Sequence, residues 1–117
     1  MKKLAIKAFK TQSNHTQDII LSYEHFGLPL NQAPVVLVNH ALTGNSNVAG
    51  EGGWWSALIG PDKCIDTNRF AVLAFNIPGN GYDGFVIEEY KQFVAKDMAQ
   101  LFLLRATCLT CRKSCRW

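Results

Sequence analysis

The decapeptide VVLVNHALTG, Val35 to Gly44, combines a buried type of strand with a turn that suits acyl-transfer chemistry. An apolar, β-branched run followed by Asn39 and His40 is typical of a parallel strand whose carboxyl end carries a ligand-binding loop. Small residues in the turn, with Gly44, allow backbone N–H groups to approach a substrate oxygen and stabilise a tetrahedral oxyanion. The alternative is a plain strand-to-loop turn in which His40 is a structural hydrogen-bonding group.

A catalytic triad cannot be assembled from this sequence. Covalent acyl transfer by serine needs a histidine base and an orienting carboxylate, and the serine of an α/β enzyme lies on a Gly-x-Ser-x-Gly elbow that precedes the histidine. None of the five serines has that setting; they are Ser13, Ser22, Ser46, Ser56 and Ser114. The three histidines, His15, His25 and His40, all come before the expected elbow. Asp97 is expected on the solvated side of a helix.

The C-terminus carries the motif C-x-x-C-x-x-x-C, formed by Cys108, Cys111 and Cys115. Three thiolates suit zinc or an iron–sulfur cluster, but a structural zinc site usually has four ligands. No histidine follows His40, so a fourth ligand would have to come from Cys64 or from another chain. We therefore predict no metal site and keep metal binding by the tail as an alternative.

The composition is that of one small globular domain, with 117 residues, 48% of them hydrophobic. An α/β domain with triad chemistry commonly needs about 200 residues, so this length suits only part of one. Four of the twelve basic residues lie in the last 13 positions, which leaves eight against nine acidic ones elsewhere. The net charge of +3 is thus a property of the tail and gives no reason to expect a nucleic-acid partner.

The N-terminal segment MKKLAIKAFK lacks the apolar run of about 7 to 15 residues that a secretory signal needs. No stretch elsewhere is long and apolar enough for a membrane span. We therefore expect a cytoplasmic protein with no membrane partner.

The hydrophobic pattern predicts an α/β order of elements. Residues 4–10 and 19–26 alternate imperfectly and predict an antiparallel pair at a sheet edge. The apolar runs 35–38 and 70–75 each predict a central strand covered on both faces. Between them, the segment 41–69 is long for a structureless loop, which indicates a functional excursion.

Residues 88–104 predict a helix, because apolar side chains recur at i, i+3 and i+4 and two acids occupy its first turn. At Arg105 this periodicity stops, and RATCLTCRKSCRW does not continue the pattern of the helix. We therefore divide the chain into residues 1–104, a portion of an α/β domain, and 105–117, an unpatterned, basic, cysteine-rich tail.

Several segments in order give the chain a family resemblance: HALTGN, a Gly-Trp-Trp stretch, LIGPDKCIDTNRF, and a strand that ends in Asn76 before a glycine-rich loop. Together they resemble the N-terminal third of homoserine O-acetyltransferases, members of the α/β-hydrolase superfamily. The likeness runs from about Leu21 to Leu104. It implies the N-terminal part of an α/β-hydrolase fold, incomplete, with a mostly parallel sheet and an antiparallel edge pair.

The resemblance also implies an activity. Family members move an acetyl group from acetyl-CoA, through a serine, to the hydroxyl of homoserine, on the route to methionine. Partners would be these small molecules, with acetyl-CoA as co-substrate and no bound cofactor, and a family-type homodimer stays open. Because the serine, acid and histidine of the triad are absent from this sequence, we expect the chain to be inactive alone.

By the same resemblance, the backbone N–H of Leu42 is one oxyanion-hole donor, the only catalytic assignment. The expected substrate-binding residues are Ala41, Thr43, Gly44, Trp54 and Trp55, although two tryptophans are more often explained by packing than by ligand contact. The loop from Asn76 to Gly84 departs from the usual glycine-rich run of the family by carrying Tyr82-Asp83-Gly84. Serine or another hydroxyl compound therefore stays open as the acceptor.

Three interpretations follow. The first is a truncated acyltransferase whose family-like coding ends near Leu104, the tail arising from a shifted reading frame. The second is a non-catalytic binding module that retains the cleft. The third is a small metal-binding protein that uses its cysteine tail.

Overall fold

The computed structural model describes residues 1–41, 43–87 and 90–110. Its strands are β1 (Lys2–Lys10), β2 (Thr16–Gly27), β3 (Val35–Val38), β4 (Ile59–Gly60), β5 (Ile65–Asp66) and β6 (Ala71–Phe75). A 3-10 turn, Tyr90–Gln92, precedes the helix α1 (Ala95–Thr110). No helix in these ranges is long and apolar enough to cross a membrane.

The main sheet has four strands in the order β1-β2-β6-β3. β1 and β2 form the predicted antiparallel edge pair, β2 also pairs antiparallel with β6, and β3 pairs parallel with β6. The fold class is confirmed as α/β, and the described sheet is mixed, since one of its three pairings is parallel. The short strands β4 and β5 form a separate parallel pair inside the long excursion.

β6 is the central strand, with packed side chains on both faces, and all five of its residues are buried. On one face, Leu73 and Phe75 belong to a core with the helix residues Leu101 and Phe102. On the other face, Val72 and Ala74 pack with residues of the excursion, among them Val48, Ala49 and Ile59. This two-sided burial explains why the strand is apolar throughout.

β3 does not have the central position that its apolar sequence predicts. It is the last strand of the described sheet, and three of its four residues are only half-buried. Both of its faces are nevertheless packed, Val35 and Leu37 against one core and Val36 and Val38 against the other, so only the predicted central position is wrong for the described residues. An apolar strand with one unpaired edge presents backbone N–H and C=O groups to which a further strand can bind.

The helix begins later and ends later than its periodicity predicts. Asp97 Oδ2 accepts the backbone N–H of Val94 at 2.9 Å, as the third residue of a capped helix does, and this fixes the start of α1 at Ala95. The helix continues past Leu104 because Ala106 and Leu109, three positions apart, extend its apolar stripe onto the core. Residues 105–110 are thus helical, while the division into 1–104 and 105–117 stays a prediction.

Asp97 is also misplaced by the sequence pattern, which puts it on a solvated face. Its side chain is fully buried, and its Oδ1 accepts the backbone N–H of Gln12 at 2.8 Å. One carboxylate therefore caps α1 and ties it to the β1–β2 hairpin. A buried carboxylate is retained in this position because both of its oxygens accept hydrogen bonds.

Candidate oxyanion turn and the loops that hold it

Two loops meet at the carboxyl edge of the β3–β6 pair. The strands are parallel, with Val38 opposite Ala74, so that the chain leaves β3 at Asn39 and β6 at Asn76 on the same edge of the sheet. The predicted site therefore lies where open α/β sheets bind ligands. The first loop carries the oxyanion turn, defined here as residues 40–44, and the second is the glycine-rich segment 76–84.

His40 joins the two loops. Its side chain is buried, and its Nε2 accepts the backbone N–H of Ile77 at 3.0 Å. Because a backbone N–H can only donate, Nε2 is unprotonated and Nδ1 carries the hydrogen, which it donates to the Ala41 carbonyl at 2.5 Å. His40 is therefore a structural hydrogen-bonding residue of the turn, with both ring nitrogens engaged.

Gly44 closes the turn rather than opening its backbone to a ligand. Its N–H donates to the Ala41 carbonyl at 2.8 Å, so this donor is already used. A Cβ at this position would lie 2.9 Å from Cβ of His40, closer than side chains tolerate. Gly44 must therefore be small, as predicted, but the reason is the close packing of the His40 side chain. Ala41 and Thr43 are exposed. Leu42, the predicted oxyanion donor, lies outside the described residues.

Asn76 lies at the centre of a buried hydrogen-bond network that the sequence motifs do not predict. Its Oδ1 accepts the Ser46 backbone N–H at 2.7 Å, and its Nδ2 donates to Ser46 Oγ at 2.9 Å and to Ser22 Oγ at 2.8 Å. The Ser22 hydroxyl in turn donates to Asp83 Oδ2 at 2.5 Å. The network links β2, the end of β6 and both loops. The one available signal was a polar residue directly after the apolar run of β6.

Neither serine of this network is placed as a nucleophile. Ser22 and Ser46 are fully buried, and their hydroxyls bond to Asn76 and, for Ser22, to Asp83. Among the described residues, no hydrogen bond joins a serine hydroxyl to a histidine ring, which acyl transfer by serine requires.

Trp54 and Trp55 lie on the excursion beside the turn. Their ring centroids are 4.9 Å apart, and the Trp54 indole N–H donates to the Asn45 carbonyl at 2.9 Å. The two residues are 39% and 41% exposed, so neither belongs to the core. They offer an aromatic surface next to residue 45, one position beyond the turn.

The described part of the chain contains no group of three histidine, cysteine or acidic side chains able to hold an ion, and Cys64 is free and exposed. Cys111 and Cys115 of the C-terminal motif lie outside the described residues.

No family model matches the chain, but comparison with known proteins finds relatives that are similar to it over part of their length. Homoserine O-acetyltransferase of Methanococcus vannielii is 42% identical over 91 residues, which are 70% of this chain and 18% of that protein. Homoserine O-succinyltransferase of Leptothrix cholodnii is 44% identical over 72 residues, 55% of this chain and 19% of that protein. The chain therefore spans about a fifth of the length of these relatives.

Solved structures agree. Homoserine O-acetyltransferase from Bacillus anthracis matches with a TM-score of 0.60 and 31% identity, over 64% of this chain and 22% of that one. The enzyme from Staphylococcus aureus gives 0.62 and 25%, over 91% and 32%. An esterase gives 0.70 and 25%, over 92% and 37%. The chain is therefore a homologue of the homoserine O-acetyltransferases over part of their length, and its fold is that of the α/β-hydrolases.

Proposed function

We propose that this chain is the oxyanion-turn portion of an O-acyltransferase that carries an acetyl group from acetyl-CoA to the hydroxyl of homoserine. Two observations support the proposal: the chain is about 40% identical to enzymes of that name, and His40, at the carboxyl edge of the parallel strands, is hydrogen-bonded to the loop that follows β6. Preorganised N–H donors stabilise an oxyanion because no reorganisation is needed when the charge develops.

In this proposal each part of the described site has a task. The Leu42 N–H donates to the thioester oxygen as it becomes an oxyanion, and Ala41, Thr43 and Gly44 shape the turn around it. His40 and Asn76 hold the turn against the second loop through Ile77 and Ser46. Trp54 and Trp55 supply an aromatic surface for substrate, since exposed aromatic rings suit an amphipathic ligand.

The covalent steps need groups that these 117 residues do not contain. In the family mechanism that the resemblance implies, a serine attacks the thioester carbonyl and releases the CoA thiol, and the substrate hydroxyl then takes the acyl group from the serine. We propose that the chain alone is inactive, because it has no elbow serine and no histidine after it. A location in the cytoplasm and a family-type homodimer stay predictions.

The acyl donor and acceptor are the open choices within this proposal. One relative is named a homoserine O-succinyltransferase, so succinyl-CoA is the competing donor. The Tyr82-Asp83-Gly84 segment keeps serine as a competing acceptor. Ester hydrolysis is the second candidate function, favoured by the likeness to an esterase, since the same turn serves attack by water.

Complementation tests the proposal. The chain is combined with a polypeptide that covers the remainder of the Methanococcus vannielii enzyme, and release of CoA thiol from acetyl-CoA is followed with homoserine, with serine and without acceptor. We expect homoserine-dependent release from the mixture and none from either part. Gly44→Val in the chain should abolish it, and Lys91→Gln, an exposed change, should not.

Three results would contradict the proposal. They are turnover by the chain alone, equal release with and without acceptor, and no release from parts shown to be folded and associated. The gene itself gives a cheaper check: a frame change near codon 105 that restores a Gly-x-Ser-x-Gly elbow supports the acyltransferase, and an intact frame without one contradicts it. Stoichiometric zinc or iron lost on Cys111→Ser would favour the metal-binding alternative instead.

A further inference from the structure

The acid of the segment Tyr82-Asp83-Gly84 is bonded within the protein. Asp83 Oδ2 accepts the hydroxyl of Ser22 on β2 at 2.5 Å, and its Oδ1 accepts the backbone N–H of Phe85 at 2.9 Å. A separation of about 2.5 Å is usual for a hydroxyl that donates to a carboxylate, a charge-assisted hydrogen bond roughly twice as strong as a neutral one. Both oxygens of this half-buried side chain are therefore engaged by groups of the chain itself.

The charge of Asp83 sets the direction of the hydrogen bonds in the buried network. A carboxylate can only accept, so the Ser22 hydroxyl must donate its hydrogen to Asp83. The oxygen of Ser22 is then left as an acceptor for Nδ2 of Asn76, 2.8 Å away. This orients the carboxamide with its nitrogen toward Ser22 and its oxygen toward the Ser46 N–H, at 2.7 Å. A reversed carboxamide would place oxygen against oxygen at Ser22 and N–H against N–H at Ser46, and both bonds would be lost.

The second loop, residues 76–84, contacts the oxyanion turn at two points. The Ile77 N–H donates to Nε2 of His40 at 3.0 Å, and Nδ2 of Asn80 donates to the Gly44 carbonyl at 3.4 Å. Both contacts lie between the two anchors of this loop, which are the carboxamide at its start and the carboxylate near its end. The position of the loop beside the turn therefore depends on these anchors.

We propose that Asp83 is a positioning residue for the oxyanion turn and acts through the Ser22 hydroxyl and the Asn76 carboxamide. Its carboxylate orients these two groups, and they fix the loop that contacts the turn. The catalytic part of this inference rests on the proposed acyltransferase function, whereas the hydrogen-bond part does not. The proposal also removes Asp83 from the selection of the acceptor, because both of its oxygens already accept hydrogen bonds inside the protein.

NMR spectra of the complete chain test the hydrogen-bond part without any activity. Asp83→Asn replaces the carboxylate by a carboxamide, which can donate as well as accept, so the direction of the Ser22 hydroxyl is no longer imposed. We expect the side-chain amide signals of Asn76 to shift or double and the Ser46 amide to exchange faster with solvent. The amide of Leu101, in the core on the opposite face of the sheet, should be unchanged and shows that the fold is intact. Unchanged Asn76 signals in Asp83→Asn would overturn the proposal.

A double-mutant cycle separates the proposed path from a general loss of charge. Ser22→Ala removes the hydroxyl that connects Asp83 to Asn76, so Asp83→Asn should change the Asn76 signals little in that background. Asp62→Asn removes the same charge at an exposed position and should leave those signals unaltered. Equal effects of Asp83→Asn with and without the Ser22 hydroxyl, or the same shifts in Asp62→Asn, would each overturn the proposal.

The catalytic part is measured in the mixture of the chain with the remainder of the Methanococcus vannielii enzyme. Asp83→Asn should lower kcat about tenfold with KM for homoserine unchanged, since a misplacement of about 1 Å can cost about a hundredfold. The preference for homoserine over serine should stay the same. An unchanged kcat, a raised KM or a changed preference would overturn the proposal. Absence of turnover in the unaltered mixture contradicts the proposed acyltransferase function instead, and the Asn76 signals then decide whether Asp83 orients the network.

Discussion

Asn76 holds Ser46 at two points, accepting its backbone N–H at 2.7 Å and donating to its hydroxyl at 2.9 Å. Both residues are almost completely buried, so neither group exchanges these bonds for water. The loop after β3 is thereby fixed to the loop after β6 by one carboxamide. The position of Ser46, two residues beyond the turn 40–44, thus depends on a residue 30 positions away in sequence.

Removal of the Asn76 carboxamide should destabilise the protein strongly. Asn76→Ala leaves the backbone N–H and the hydroxyl of Ser46 without this partner and removes one of the two hydrogen bonds of the Ser22 hydroxyl, at a cost of about 2–4 kcal/mol in the free energy of unfolding. Urea denaturation followed by tryptophan fluorescence measures it. Asn68→Ala, at an exposed position, is the matched control, and equal losses in the two variants would contradict this account.

Asp97 should contribute to stability as a buried double acceptor. Asp97→Ala leaves the N–H groups of Val94 and Gln12 unpaired and should cost about 1–3 kcal/mol. Asp97→Asn should cost less, because its carboxamide oxygen still accepts one of the two bonds. Thermal or urea denaturation distinguishes the series, with exposed Glu51→Ala as the control. A loss no larger than that of Glu51→Ala would show that the carboxylate is solvated.

The neutral imidazole of His40 should carry its proton on Nδ1. This tautomer follows from the Ile77 N–H that Nε2 accepts, and long-range ¹⁵N–¹H NMR spectra identify it directly. Gly44→Ala should displace the ring, because its Cβ would lie 2.9 Å from that of His40, and should produce a mixture of tautomers. Asn68→Ala, at an exposed position outside both loops, should leave the tautomer unchanged. An Nε2-protonated ring in the unaltered protein would refute the assignment.

The register of β1 against β2 shifts between Ile6 and Phe9, and this irregularity should be sensitive to acid because Asp18 accepts the Ala8 N–H there. The Ala8 N–H and then Lys7 lower the pKa of this carboxyl from its ordinary value of 3.8. Because the folded pKa is the lower one, the stabilising effect is complete above pH 3.8 and is lost as the pH falls through the folded pKa. A titration of the Asp18 carboxyl carbon by NMR should give a pKa below 3.8, with the Ala8 amide shift following it.

Asp18→Asn is the companion variant for that titration. It keeps one acceptor for the Ala8 N–H and removes the charge, so the acid-dependent shift of Ala8 should disappear. Persistence of the shift in Asp18→Asn would assign it to another group.

Local hydrophobic patterns in the sequence determined those strands whose formation depends mainly on neighbouring residues. Alternation predicted the β1–β2 pair, and the apolar runs predicted β3 and the buried central strand β6, each close to its observed bounds. The quoted motifs also determined the resemblance to homoserine O-acetyltransferases, which relatives of about 40% identity confirm. The period of a strand and the residue types of a motif both depend on residues that are close in sequence, so they can be recognised without the tertiary structure.

Tertiary structure decided what depends on distant partners. A carboxylate at a polar helical position is read as solvated, yet Asp97 is buried because Gln12, 85 positions away, donates to it. The periodicity predicts that the helix ends at Leu104, but α1 continues to Thr110 because Ala106 and Leu109 pack against the core that the sheet forms. The link from Asn76 to Ser22 and Ser46 likewise joins residues 54 and 30 positions apart. Hydrogen bonds of this kind leave no periodic trace in a sequence, since they form only when the folded sheet brings their groups together and excludes water from them.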